Sequence, residues 1–353
     1  MSFTAAEQAA MSRALALAAT PGVPAGPNPR VGCVLLDPSG AEVGEGFHRG
    51  AGSPHAEVDA LAAAGDGARG ATAVVTLEPC NHTGRTGPCA QALLAAGVRR
   101  VVYAQADTNP VAEGGAATLR AGGVDVEGGL LLDEARALNR AWSFALEHGR
   151  PFVTWKLATT LDGRSAAADG TSRWVSSRAA RLDTHRLRGE CDVMLVGSGT
   201  VAADDPELTV RDEVDEPLAQ QPLRVVMGER DLPAGRRIFN DRAETLHLRT
   251  RDPRAVLFEL WARDRQHVLL EGGPTVAAAF LAAGLVDEVV AYVAPMLLGA
   301  GRSAVGDLGI TTLADAVHLP VVDVHVLQGT TLGGSDGEDT NVRLTLRRGG
   351  GRS

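Results

Sequence analysis

The chain has 353 residues, 44% hydrophobic and 22% charged, which suits two packed domains and excludes a disordered or fibrous chain. A net charge of −9 and an aromatic content of 4% argue against broad binding to nucleic acid or to an anionic membrane, and leave room for a local basic pocket that takes an anionic small molecule. Four cysteines are too few for a disulfide framework, the N-terminus lacks a signal peptide's basic and long apolar regions, and no apolar run reaches membrane-spanning length, so a cytoplasmic protein is expected.

In chain order, residues 5–19 have helical spacing. The stretches RVGCVLLD (30–37) and AEVGEGFH (41–48) read as strands joined by a PSG turn. A helix is expected over HAEVDALAAAG, ended by Gly65, then a buried strand at 71–77, a helix at 89–97 and a strand in RRVVYAQAD. Residues 131–149 have the period of one helix, and Gly149 with Pro151 then punctuates the chain. This gives a first domain at 1–148 and a second at 149–353. The second restarts with a strand at 151–160. Next comes a helix opened by a capping serine in SSRAARLDTHRLRGECD, followed by strands in VMLVGSGT, LRVVMG and TLHLRT. The stretch QHVLLEGGPTVAAAFLAAG reads as strand, glycine turn and helix, and VDEVVAYVAP and NVRLTLRR as the last strands. Residues 329–340 read as an exposed loop and 349–353 as a frayed tail. The alternation predicts α/β domains, the second with a mostly parallel sheet.

Chemistry concentrates first in SPHAEVDAL (53–61) and TLEPCNHTGRTGPC (76–89). His55, Cys80 and Cys89 offer one imidazole and two thiolates at the starts of two expected helices. That set suits one tetrahedral zinc with a fourth position left for water, the pattern of a catalytic rather than a structural site. Glu57 is too close to His55 in sequence to ligate beside it, and is placed instead to move a proton from water to a leaving amine. H-x-E followed by P-C and a second Cys is the signature of zinc nucleobase deaminases. Here eight residues, not two, separate the cysteines, an excursion that suits a substrate larger than a bare base. Cys33 and Cys191 are expected to be buried apolar residues with no chemistry. In the second half, no strand-bound G-x-G-x-x-G is present, so a Rossmann domain is not expected. The turn of Gly272, Gly273 and Pro274 before a helix can cradle a phosphate, although two glycines alone are weak grounds.

NPRVGCVL, GEGFHRGAGSPHAEVDAL and TLEPCNHTGRTGPC resemble the N-terminal half of the bifunctional riboflavin-biosynthesis deaminase/reductases, the RibD family. KLATTLDGRSA, SRWVSS, GSGTVAADDPELTVR, EGGPTVAAAFL and DEVVAYVAPMLLG resemble the second half, in the family's order and over nearly the whole chain. The resemblance implies a cytidine-deaminase-like α/β/α domain followed by a dihydrofolate-reductase-like α/β domain. It implies one zinc and NADPH as cofactors, and a phosphorylated pyrimidine as substrate. The first domain would hydrolyse the 2-amino group of 2,5-diamino-6-ribosylamino-4(3H)-pyrimidinone 5′-phosphate. The second would reduce the ribosyl group to ribityl, giving 5-amino-6-ribitylamino-uracil 5′-phosphate. No nucleic-acid or membrane partner follows, and a homo-oligomer, dimer or tetramer, is open.

By the same resemblance, Asn28 and His48 would line the deaminase pocket, with His82, Arg85 and Thr86 in the cysteine excursion contacting ribose and phosphate. In the reductase, Ala158, Trp174, Thr200, Asp204 and the run Gly273, Pro274, Thr275, Val276, Ala277, Ala278 and Ala279 would contact NADPH. Lys156, Ser172, Arg188, Leu208, Arg211 and Glu271 would contact the substrate. Two arginines suit a phosphate monoester, and Asp204 would assist protonation of the opening ribose. One departure stands out: where many relatives carry an aspartate and a small hydroxyl residue after LRVV, this chain has Met227 and Gly228, which loosens the expected preference for NADPH over NADH. The alternative reading is a deaminase carrying a non-catalytic reductase-like domain.

Overall fold

The computed structural model describes residues 3–23, 26–82, 87–109, 111–172, 175–328 and 340–348. Two units, Met1–Gly149 and Arg150–Ser353, each build a main sheet and core of their own. The first opens with α1 (Ala5–Ala18), started by a capping box between Thr4 and Glu7. Strands β1 (Gly32–Leu36) and β2 (Glu42–Phe47) pair antiparallel. Then come α2 (Ala56–Ala64), β3 (Thr72–Leu77), α3 (Cys89–Ala95), β4 (Arg100–Gln105), α4 (Gly115–Ala121), β5 (Asp125–Gly128), α5 (Leu132–Leu138) and α6 (Arg140–His148). The sheet order is β2-β1-β3-β4-β5, with β3, β4 and β5 parallel.

Strand alternation sends neighbouring residues into different layers. Val34, Val74 and Val102 pack with Met11 and Ala14 of α1 and Ala135 of α5. Cys33, Val75 and Val101 pack with Ala60 of α2, Leu93 of α3 and Trp142 of α6. This division corrects the expectation of one helix over 131–149. Ala135 and Trp142 enter opposite cores, so the helix breaks between them. The break is fixed at Asn139, whose side chain accepts from the Arg30 N–H at 2.8 Å and donates to the Arg30 carbonyl at 2.9 Å. Helix α4 and strand β5 carry no strong periodicity and were not expected.

The second unit begins with β6 (Phe152–Thr160) and a short β7 (Arg164–Ala166), then α7 (Arg178–Gly189), whose Ser177 cap accepts from Ala180 N–H at 3.1 Å. Next are β8 (Val193–Gly197), α8 (Ser198–Asp204), β9 (Leu223–Met227), β10 (Thr245–Leu248) and α9 (Pro253–Trp261). The chain ends with β11 (His267–Leu270), α10 (Pro274–Ala282), β12 (Glu288–Ala294), β13 (Arg302–Ser303), β14 (Val321–Gln328) and β15 (Thr340–Arg347). The eight-stranded order is β10-β9-β8-β11-β6-β12-β15-β14, parallel from β10 to β12 and antiparallel beyond. Helices α9 and α10 cover one face through Leu260 and Phe280, and α7 and α8 cover the other through Leu187 and Val201. The expected strand in VMLVGSGT stops at Gly197, and its last residues start α8 instead. Of the loop expected at 329–340, Thr340 opens β15, and the rest lies outside the described residues, as does the tail.

Candidate active sites

The first cavity, about 340 Å³, lies beyond the C-terminal end of β3 and against the start of α2. His55 is the N-cap of α2, yet its ring does not cap the helix. Its Nδ1 lies 3.2 Å from Cys89 Sγ and 3.5 Å from Cys80 Sγ. Cys89 is the first residue of α3, and its backbone N–H donates to Cys80 Sγ at 3.4 Å. The three ligand atoms lie within 4.8 Å of one another, and both cysteines are buried. The Cys89 hydrogen bond and the His55 ring hold the Cys80 thiol down at about 4, whereas its bond to Cys80 and burial push the Cys89 thiol up: the pair shares a proton that a divalent cation would displace. One nitrogen and two sulfurs in this array fit zinc. Cys33 and Cys191 are buried in the cores, and burial raises both thiols.

Glu57, in the first turn of α2, is 4% exposed, and burial pushes its carboxyl up to about 7. His48 is held by two bonds: Nδ1–H donates to the Pro54 carbonyl at 3.1 Å, and Nε2 accepts from the Asn28 amide at 2.9 Å. This fixes one neutral tautomer, and burial lowers the ring's pKa further. Asn28, His48, Glu57 and His82 all line the cavity, and His82 Nδ1 is buried without a hydrogen-bond partner among the described residues. Arg85 and Thr86 lie outside the described residues. Sequence reading missed Asp107, Asn109 and Trp142, which complete the wall. Burial pushes Asp107 up to about 6. Its signal was its place: Asp107 and Asn109 follow β4, parallel to β3, so both segments leave the same edge, where ligands bind in α/β sheets. Gly115 lets α4 approach this edge, because a Cβ there would lie 1.7 Å from the Pro79 carbonyl oxygen.

The second cavity, about 1090 Å³, runs along the C-terminal ends of β6, β11, β8 and β9. Lys156, Ala158, Ser172, Thr200, Asp204 and Glu271 line it, as do Gly273, Pro274, Thr275, Val276 and Ala279. Ala277 faces the apolar core instead, and Ala278 is not part of the wall. Trp174 lies outside the described residues. Glu271 is gripped by Arg188 through both oxygens, at 2.6 and 2.9 Å. Burial opposes ionisation there, but the Arg188 charge and its bonds, with Lys156 nearby, hold Glu271 down at about 2. Burial lowers the Lys156 ammonium. Arg188, Leu208 and Arg211 stand behind the wall. Arg188 also donates to the Thr209 carbonyl at 2.9 Å, and Arg211 is tied to Thr209, Glu207 and Asp215. Gly272 lets the start of α10 pack close to the turn, because a Cβ there would meet Val276 Cβ at 2.9 Å. The open turn, its amides and the length of the cavity fit a dinucleotide.

Two family models match the two units. Residues 4–105 match the cytidine and deoxycytidylate deaminase zinc-binding region, and residues 151–330 match the RibD C-terminal domain. The riboflavin biosynthesis protein RibD of Mycobacterium tuberculosis is 53% identical, over 83% of this chain and 86% of that protein. RibD of Escherichia coli is 42% identical, over 87% of this chain and 92% of that protein. The chain belongs to the RibD family. Among solved structures, Acinetobacter baumannii RibD superposes with a TM-score of 0.87 at 37% identity, covering 98% of this chain and 99% of that one. The family makes this chain a bifunctional deaminase and reductase of riboflavin biosynthesis, with zinc as cofactor of the first unit and NADPH of the second. No described helix is long and apolar enough to cross a membrane.

Proposed function

We propose that the first unit, residues 1–148, deaminates 2,5-diamino-6-ribosylamino-4(3H)-pyrimidinone 5′-phosphate, and that the second, residues 149–353, reduces the ribosyl group of the product to ribityl. The observation that carries the first step is the triad His55, Cys80 and Cys89 opening onto a cavity that also holds Glu57. Zinc held there is a Lewis acid that makes water nucleophilic near neutral pH. The Glu57 carboxyl takes a proton from that water and hands it to the departing 2-amino nitrogen, which leaves as ammonia. Its burial beside the thiols keeps the proton on the productive path. His48, locked neutral by Pro54 and Asn28, and Asn28 itself orient the pyrimidinone edge. Asp107, Asn109 and His82 supply further polar contacts, with Arg85 suited to the phosphate.

In the second unit, Ala158, Thr200, Gly273 and the start of α10 (Pro274, Thr275, Val276 and Ala279) hold NADPH, which supplies hydride, with Trp174 as a further contact. The hydride is accepted at C1′ of the opened ribosylamine, and Asp204 assists the proton that the ring oxygen must gain. Ser172 and Lys156 contact the sugar phosphate. Glu271 orients its hydroxyls, with Arg188 fixing the carboxylate behind it, while Arg211 and Leu208 shape the adjoining loop. A deaminase with an inert second domain is not favoured, because the reductase family match and the lined cavity are both intact.

The working form is cytoplasmic, where free thiols and a thiolate metal site persist. It is also a homo-oligomer: β14 is an edge strand with Val321, Val324 and Val326 54%, 56% and 59% exposed, a surface that a second copy of the strand would cover. The test of the reaction is a paired assay of ammonia release and loss of NADPH absorbance on the diaminopyrimidinone phosphate. Ammonia released without NADPH or NADH consumption overturns the reductase half.

A further inference from the structure

Resting on the reading of the second cavity as the cofactor site, we propose that this chain recognises the 2′-phosphate of NADPH through Arg230 and Arg251, and that the Ser198 hydroxyl replaces the one absent at Gly228. The orientation comes from the sheet. The groups suited to the reacting end, Lys156, Ala158 and Glu271, stand on β6 and just after β11. The glycine turn at 272–273 follows β11, next to β8. From β6 the order runs to β11, β8, β9 and β10. At about 4.8 Å per step, β9 lies about 14 Å from β6 and β10 about 19 Å. A dinucleotide with its nicotinamide at β6 and its pyrophosphate at the glycine turn therefore brings its adenosine ribose to the segments that leave β9 and β10.

Those segments carry the charge. Gly228, Glu229 and Arg230 follow β9, Thr250 and Arg251 follow β10, and all five line the cavity. A carboxylate at this place can accept from a 2′-hydroxyl, the solution suited to NADH. Here Glu229 is bound to Arg251 at 3.1 Å, and Asp231 to Arg249 at 2.7 Å. Among the described residues, Arg230 has no ion-pair partner. Three guanidiniums thus face two carboxylates on a molecule whose net charge is −9. The excess cation sits where a dianionic phosphate would arrive, and the guanidinium fork matches it.

Gly228 shows why its lost hydroxyl matters little. Its N–H donates to the Leu248 carbonyl at 3.1 Å, and its carbonyl accepts from His247 Nε2 at 2.8 Å, which pins it at φ +135°. A Cβ built there would lie 2.3 Å from Ser198 Oγ. The Ser198 hydroxyl occupies the space a side chain at 228 would need, and Ser198 lines the same cavity. The polar contact comes from the end of β8 instead of the end of β9.

The test is equilibrium binding to the full-length protein, with NADPH, NADH and the fragments adenosine 2′,5′-bisphosphate and AMP as probes and no turnover required. Wild type should bind NADPH at least about tenfold tighter than NADH, and the bisphosphate tighter than AMP. The double variant Arg230→Ala, Arg251→Ala should lose about tenfold or more of that ratio while keeping its NADH affinity and melting temperature. Arg251→Lys should restore part of the preference, and Ser198→Ala should weaken NADPH by about threefold. Gly228→Ser should weaken both cofactors, because it expels the Ser198 hydroxyl. A double variant that melts like wild type and keeps the full NADPH:NADH ratio overturns the proposal. Wild type that binds neither cofactor overturns the underlying reading of the cavity, a distinct result.

Discussion

The Glu57 carboxyl is buried beside the Cys80 and Cys89 thiols and opens only onto the first cavity, so its proton has few places to go. Glu57→Gln keeps the shape and removes the base. It should cut ammonia release by about 10²–10⁴-fold while zinc content, read by elemental analysis, and NADPH oxidation on pre-deaminated intermediate stay at wild-type levels. In the second unit, Glu271→Ala leaves the Arg188 guanidinium buried without its counter-charge. The expected cost is about 3–5 kcal/mol, read as a lower denaturant midpoint. His185 gives a pH dependence of stability. Burial and the Arg188 charge push its imidazole down to about 4, against 6.5 for the free group. Between those values the unfolded chain binds the extra proton, so stability falls as pH drops through the window and is fully present above it. Melting temperature should decline between about pH 7 and about pH 5, and His185→Gln, which keeps an acceptor for the Arg211 N–H, should flatten that decline.

Elements with a strong period or a clean cap were legible in the sequence. The spacing over residues 5–19 announces α1 and Ser177 announces α7, the PSG turn joins β1 to β2, and the glycine turn separates β11 from α10. The zinc triad was legible because His55 and Glu57 share one helix start and the two cysteines bracket another. What stayed hidden depends on registers that no local pattern encodes. Asp107 and Asn109 reach the first cavity only because β4 runs parallel to β3. Arg188 meets Glu271 across 83 residues. The break at Asn139 answers to Arg30, 109 residues away, and a helical period cannot report that bond. Asn139→Ala should therefore cost about 1–3 kcal/mol, because the Arg30 peptide loses both partners, and guanidinium unfolding of the variant would measure it. At the far sheet edge, Val324→Lys with Val326→Lys places charge where β14 would meet its copy. Light scattering should find a smaller assembly than wild type forms, and an unchanged mass would remove β14 as the interface.

On the scale of the molecule, two sheets serve two chemistries. Zinc removal by a chelator should stop ammonia release and leave NADPH binding, followed by fluorescence, unchanged, with activity returning on zinc addition. The strand order of the larger sheet also sets a timetable. Its central strand β6 is the first the ribosome delivers, but its neighbours β11 and β12 come only after β8, β9 and β10: Thr154 waits for His267, 113 residues on, and for Glu288, 134 residues on. At about 5–20 residues per second, that wait is roughly 6–27 s. For that time Val153 and Trp155, both part of the finished core, have neither neighbouring strand to cover them. Over that interval the nascent reductase half exposes apolar strand surface of the kind that chaperones cover.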